Sequence, residues 1–186
     1  NQPWEYCVQY RETDFNFVSR LLEQEGLFYY FRHENGKHTM VISDSKSAYK
    51  DCVEKEVAYP RHTGTVDGKA HITSWEHHYE FRPGKWAQTD YNFETPSTNL
   101  MTKTQSVVKM PGMDKYEIYD YPGEYEVKAD GDGEVRVRME EEEAAHEIVN
   151  GSSGCRTFTP GGKFKVKTHK SASEAGKSYV ITAIQH

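Results

Sequence analysis

The stretch Tyr6-Cys7-Val8-Gln9-Tyr10-Arg11-Glu12-Thr13-Asp14-Phe15, continued through Phe17-Val18-Ser19-Arg20-Leu21-Leu22-Glu23 to Gly26-Leu27-Phe28-Tyr29-Tyr30-Phe31, decides how this chain folds. It places a short strand, a capped helix and an aromatic strand end to end with almost no slack. Thr13 or Asp14 is the N-cap, because a short side-chain oxygen can accept from an orphan amide one turn into the helix. Phe15, Val18, Leu21 and Leu22 recur at helical spacing, with Asn16, Arg20, Glu23 and Gln24 mostly on the other side. Gly26 stands where a left-handed residue ends a helix. Residues 27–31 are too aromatic to prolong that helix and read as a strand.

Asn35-Gly36 follows, a two-residue turn signal for a type I′ hairpin with positive φ at both positions. In that register Glu34 faces Lys37, His33 faces His38, Phe31 faces Met40 and Tyr29 faces Ile42. Both faces of residues 27–31 and of residues 40–42 are apolar, so the hairpin is expected to be covered on both sides.

The chain has 186 residues, enough for one ordinary domain or two small ones. Hydrophobic residues make up 35% and the mean hydropathy is −0.88, so the core must lean on the 13 Tyr, 8 Phe and 3 Trp. That bias suits a β-rich protein. No apolar run approaches the ~20 residues of a membrane span, and there is no secretory signal pattern at the start. Asn1 opens without an initiator Met, and the chain is read as an internal piece of something longer. A net charge of −6 and a pI near 5.9 argue against nucleic acid as a partner. Lys163, Lys165 and Lys167 alternate with Phe164 and Val166 and read as the solvent face of a half-buried strand. Cys7, Cys52 and Cys155 are odd in number and widely spaced, which fits neither a disulfide framework nor a zinc site.

Beyond the hairpin, residues 46–70 lack periodicity and read as a linker. Thr73, Trp75, His77, Tyr79 and Phe81 fall on one face of a strand. Arg82-Pro83-Gly84-Lys85 turns it, and residues 86–93 return. Residues 97–115 read as a connector and residues 116–121 as a strand. A second helix is expected at about 134–149, with Val135, Met139 and either Ala145 or Ile148 buried and Glu140 to Glu143 on solvated faces. Residues 155–158, 163–168 and 178–184 read as strands. The fold class is therefore mainly β with two helices (α+β), with an antiparallel barrel or open barrel carrying a helix and no parallel-sheet signature.

No catalytic string is present: no GxSxG, HExxH, Walker or Rossmann pattern. His77 and His78 are adjacent on a strand and point to opposite faces. His33 and His38 read as a polar rim pair. Glu23 and Glu25, or the run Glu140 to Glu143, could be paired carboxylates for glycoside cleavage, but such pairs arise easily among 29 acidic residues.

The opening segment resembles the hub segment of VgrG proteins, the trimeric spikes of type VI secretion systems, and of their relatives in contractile phage tails. Tyr6, Tyr10, Arg11, Asp14, Phe15, Leu21, Leu22, Gly26, Tyr29, Tyr30, Phe31, Asn35 and Gly36 carry the likeness. Two later stretches resemble the same family. One runs from Pro83-Gly84 to Tyr91 and Phe93, the other from Pro160-Gly161 to Tyr179. The resemblance implies hub domains of antiparallel, barrel-like phage tail type: residues 1–45 as a strand–helix–hairpin part of the hub, 46–70 as a linker, 71–186 as a second hub barrel. It implies a homotrimer of pseudo-sixfold symmetry seated on the Hcp tube hexamer, bearing a spike needle, a tip protein and effectors. It also implies assembly in the bacterial cytoplasm, ejection by the type VI apparatus without a signal peptide, no stable membrane insertion, no enzyme activity, and no catalytic, cofactor or metal residues. A contractile phage or prophage hub is the alternative parent. A carbohydrate-binding module, using exposed Tyr and Trp as stacking platforms, is the alternative from another class, and a phage-tail peptidoglycan hydrolase a third.

Overall fold

A computed structural model describes Trp4, residues 6–60 and residues 70–186. In chain order these form α1 (Asp14–Gln24), β1 (Phe28–Glu34), β2 (Lys37–Ser43), β3 (Lys50–Ala58), β4 (Ile72–Tyr79), β5 (Lys85–Gln88), β6 (Thr102–Gln105), β7 (Glu117–Asp120), α2 (Lys128–Ala144), β8 (Glu147–Ser153), β9 (Gly162–Thr168) and β10 (Ser178–Val180). The chain divides into two compact units, one made of Asn1–Phe28 with Arg82–Glu143 and the other of Tyr29–Phe81 with Ala144–His186.

In the first unit, Thr13 caps α1 by accepting from the Asn16 amide at 3.2 Å. Gly26 turns the chain out with φ 69°, its α-carbon face close against Val137 of α2. The sheet runs β6-β5-β7, with β6 antiparallel and β7 parallel to β5. Ala87, Leu100, Met113, Tyr125, Val135 and Met139 are its buried apolar residues. The Tyr125 hydroxyl donates to the Leu100 carbonyl at 2.8 Å and lies 3.0 Å from Thr102 Oγ1, so this core holds its polar atoms in bonds.

The second unit contains the hairpin β1–β2, the sheet β10-β9-β3 and the ribbon β4–β8. Cys52, Val57, Ile72, Cys155, Phe158, Phe164 and Val166 form its core, with Tyr59, Trp75, Tyr179 and Ile181 packed against them. Burial pushes the Cys52 and Cys155 thiols up, and all three cysteines are free. Gly161, at φ 80°, lies directly on the Tyr30 ring, where a Cβ would come within 2.3 Å of it.

Several expectations are corrected. The strands make four small sheets among the described residues rather than a closed barrel. Two pairings are parallel, β3 with β9 and β5 with β7. Strand β3 lies inside the stretch read as a linker. Its buried residues, Cys52 and Val57, are five apart because the register shifts between Asp51 and Glu56, and that shift erases the period of two. The other part of that linker, residues 61–69, lies outside the described residues. β4 pairs with β8, not with residues 86–93, and Gly84 is packed on the Met113 backbone instead of serving as a hairpin turn. β6 occupies part of the expected connector, and residues 155–158 form no strand.

Helix α2 begins at Lys128, six residues before the expected start, and ends at Ala144. Its early start runs through Gly131, whose missing side chain admits the Tyr125 ring. Residues 147–149 belong to β8. The Asn35-Gly36 loop has two residues as expected, but only Gly36 takes positive φ (71°), so the turn is not type I′. The hairpin is covered on one face only: Tyr30 is buried while Met40 and Ile42 are exposed.

Candidate assembly surface

Residues 6–12 carry no regular element, yet α1 pins them. The Arg20 guanidinium grips the Glu12 carboxylate through three contacts of 2.8–3.0 Å and donates to the Val8 carbonyl at 3.0 Å. The hydrogen bond from Arg20 holds the Glu12 carboxyl below its usual range. Gln9 donates to Asp14 at 2.8 Å, Arg11 takes φ 52°, and its guanidinium lies 5.1 Å from the Tyr10 ring centroid. Arg20, read from sequence as merely solvent-facing, is thus the clamp of this segment. A lone Arg on the polar side of a helix gives no sequence signal for that role.

The apolar stripe of α1 does not enter a core. Phe15 is 59% exposed, Val18 is exposed, and Leu21 and Leu22 are only half-buried. Tyr6 (84% exposed) and Tyr10 add to it. In the same unit Tyr91, Phe93 (78% exposed), Tyr116, Tyr119 and Tyr121 are also bare. In the second unit Tyr29 and Phe31 are half-buried and meet edge to face at 6.1 Å. Of the residues singled out by sequence, the first unit holds those from Tyr6 to Gly26 with Pro83, Gly84, Tyr91 and Phe93. The second holds those from Tyr29 to Gly36 with Pro160, Gly161 and Tyr179. A monomer that leaves this many large apolar side chains in water has surfaces suited to covering by other protein.

A second feature is an ionic cluster that the sequence did not reveal. Glu147 and Glu174 lie at the two ends of the His77 ring, 2.9 Å from Nδ1 and 3.1 Å from Nε2, and the Trp75 indole N–H approaches that Nε2 to 3.2 Å. Lys177 Nζ donates to Glu174 at 2.6 Å, the Tyr179 hydroxyl donates to the same carboxylate, and the Tyr79 hydroxyl donates to Glu147 at 3.0 Å. Glu174 is 6% exposed. Burial acts to raise its pKa, but hydrogen bonds from Lys177 and Tyr179, with the charges of Lys177 and His77, hold it at about 2. Burial and the bond to Glu174 push the Tyr179 phenol up. The cluster ties β4, β8 and β10 to the loop before β10 and contains no nucleophile aimed at a cavity. Glu174 sits in a Ser/Ala/Gly loop with no periodic pattern around it, so only Lys177, three residues on, hinted at a pair.

The acidic run on α2 is also structural. Glu142 pairs with Arg82 at 3.2 Å, and Glu143 accepts from Ser106 Oγ at 2.7 Å and from the Val107 amide at 2.6 Å. These two therefore depart from the expected solvated face. The His33 and His38 rings sit 6.5 Å apart at the hairpin rim. Among the described residues no three His, Cys, Asp or Glu are grouped to hold a metal ion, and no helix is long and apolar enough to cross a membrane.

Residues 1–186, the whole chain, match the profile of the phage tail baseplate hub family. The chain belongs to that family. It is 34% identical over 187 residues to the type VI secretion system spike proteins VgrG1b and VgrG1a of Pseudomonas aeruginosa, covering 100% of this chain and 25% and 29% of theirs. It is 27% identical over 182 residues to the actin cross-linking toxin VgrG1 of Vibrio cholerae, covering 98% of this chain and 16% of the toxin. The chain thus spans less than a third of the curated relatives it matches. Its fold is like that of the 43 kDa tail protein of prophage MuSo2 from Shewanella oneidensis, with a TM-score of 0.62 at 8% identity over 98% of this chain and 53% of the tail protein. Membership of this family, with spike proteins as relatives, supports a structural role in a tail or spike.

Proposed function

We propose that this chain is the hub portion of a VgrG-type spike: a homotrimer whose base caps the Hcp tube hexamer and which is ejected to carry effectors into a target cell. The observation that carries this reading is the full-length match to the hub family together with 34% identity to spike proteins. The exposed apolar side chains of α1 and of residues 91–121 support it, because assembly would cover them. Residues 1–45 and 71–186 would then both contribute to the hub. The role is non-catalytic, with assembly in the bacterial cytoplasm before secretion. Three chains of net charge −6 repel one another, so apolar and β-edge contacts must outweigh that repulsion.

The test is light scattering and cross-linking of the full-length protein with and without purified tube protein. A trimer that binds the tube supports the proposal; a strict monomer that ignores the tube refutes it. The likeness to a prophage tail protein favours a second parent, a contractile phage hub. Tube protein from a phage and from a type VI system, offered side by side, discriminates the two.

A further inference from the structure

The sheet β6-β5-β7 of the first unit ends in two open edges, one carrying Lys103 and the other Glu117. At β6 the Ser106 amide donates to the Gly84 carbonyl at 2.9 Å, which makes these two a hydrogen-bonded pair. Such pairs alternate along an antiparallel ladder, so Thr104 and Thr102 also turn their backbone groups toward β5. Lys103 and Gln105 therefore point theirs away from the sheet. At β7 the Tyr116 carbonyl accepts from the Gly84 amide at 3.1 Å and the Asp120 carbonyl from the Thr89 amide at 3.4 Å. Glu117 and Tyr119, one residue out of step, point their backbone groups outward in turn.

Among the described residues nothing takes up these outward groups. No loop bonds to the backbone of Lys103, Gln105, Glu117 or Tyr119, and all four residues are exposed. The Lys103 ammonium and the Glu117 carboxylate have no ion-pair partner among the described residues either. The neighbouring outward positions are already spent. The Met101 amide donates to Asn99 Oδ1 at 2.9 Å and its carbonyl accepts from Lys128 Nζ at 2.8 Å. The Lys115 amide donates to the Gly112 carbonyl at 3.2 Å, and the Tyr121 amide to Asp120 Oδ1 at 2.9 Å. Lys103 and Tyr119 are both partnered by Ala87, and Gln105 and Glu117 by Lys85, so all four side chains share one face of the sheet.

A charged side chain on an edge strand ordinarily guards against stray pairing. Here the two charges select a partner instead. Joining β6 to β6, or β7 to β7, brings like charges together, and only unlike edges bring Lys103 to Glu117. Strands β6 and β7 run in opposite directions, so unlike edges of two copies with the same orientation meet antiparallel. With Tyr119 opposite Lys103 and Glu117 opposite Gln105, every free outward group on both edges finds its mate. The Lys103 stem then lies against the Tyr119 ring, with Glu117 as its diagonal neighbour. We propose that β7 of one copy adds to β6 of the next copy in this register, head to tail. This seam rests on the homotrimer reading above and says how chains of net charge −6 associate: the sheet is basic at one edge and acidic at the other. Head-to-tail contacts of this kind close into a ring when the rotation between copies allows it.

The experiment is cysteine cross-linking of the full-length protein in a Cys7→Ser background, since Cys7 is exposed. Lys103→Cys with Tyr119→Cys places two thiols on a directly opposed pair, with α-carbons ~5.5 Å apart, inside the span of a disulfide. Within one chain the same positions lie on either side of β5, about 9.5 Å apart, too far to bridge. After oxidation with copper–phenanthroline, most chains are expected as covalent dimers and trimers on a non-reducing gel. Either single variant is expected to give none, because a head-to-tail contact never opposes a residue to its own copy. Gln105→Cys with Glu117→Cys is expected to cross-link equally, and serves if the first pair disturbs folding. Light scattering on the same samples separates the two readings. A trimer whose paired cysteines stay unlinked overturns the seam alone, and is the result expected if a strand from elsewhere in the full-length protein covers these edges. Cross-linking by a single variant overturns the head-to-tail arrangement. A strict monomer overturns the seam and the hub reading together.

Discussion

Replacing Glu174 by Gln keeps the shape of the side chain and removes the charge that Lys177 and Tyr179 hold. The carboxyl sits at about 2 rather than 4.5. At ~1.36 kcal/mol per pH unit, that difference sets a ceiling of about 3 kcal/mol on what the ionised form contributes. Half of the Lys177 side chain remains in water, which screens part of the attraction, so about 2 kcal/mol is the expected loss at pH 7. The sign follows from the direction of the shift. The folded value lies below the unfolded one, so the contribution is complete above about 4.5 and disappears as pH falls through about 2. Guanidinium unfolding of the wild type and Glu174→Gln at pH 7, 4 and 2.5 reads this directly. The gap between them should be widest at pH 7 and shrink to about a quarter of that at pH 2.5. A gap below about 0.5 kcal/mol at pH 7, within the scatter of surface substitutions, would refute the reasoning. An equal gap at all three values would refute it too.

Gly161→Ala should cost about 2–4 kcal/mol, since it combines positive φ with a Cβ pushed into the Tyr30 ring; an unchanged melting temperature would show that the contact is soft. At the hairpin, Gly36→Val should cost about 1–2 kcal/mol through its φ of 71°, while Asn35→Val should cost less than half of that. Equal losses would mean that both positions need positive φ. Arg20→Met should free residues 6–12, seen as faster amide exchange at Tyr10 with exchange in α1 little changed. Unaltered exchange there would remove Arg20 from the role of clamp.

Local chemistry was legible where a single side chain or a short period sets the structure. Thr13, Gly26, Asn35-Gly36 and the alternation through Trp75 and His77 announced a cap, a helix end, a turn and a strand face. Pairing was not legible, because the partner of β3 lies about 110 residues away and that of β4 about 75, and nothing in either strand names them. Position 57 is buried and position 53 exposed through a register shift that composition cannot encode. Helix α2 starts before two glycines, against propensity, because the Tyr125 ring needs the space at Gly131. The apolar side of α1 was recognised correctly as a stripe, but an apolar stripe does not say whether its cover comes from the same chain. The Glu174 cluster required three strands and a loop to converge, which only the fold supplies.

The division of the chain at residues 28, 81 and 143 has a consequence for how the protein can be made and dissected. The two units interleave along the chain, so no single cut separates them: residues 1–81 and residues 82–186 each hold one segment of both. During synthesis residues 82–143 are translated while β3 and β4 still wait for β9 and β8. Those early strands therefore spend the interval with their edges unpaired. A truncated or stalled product is accordingly the form most exposed to aggregation.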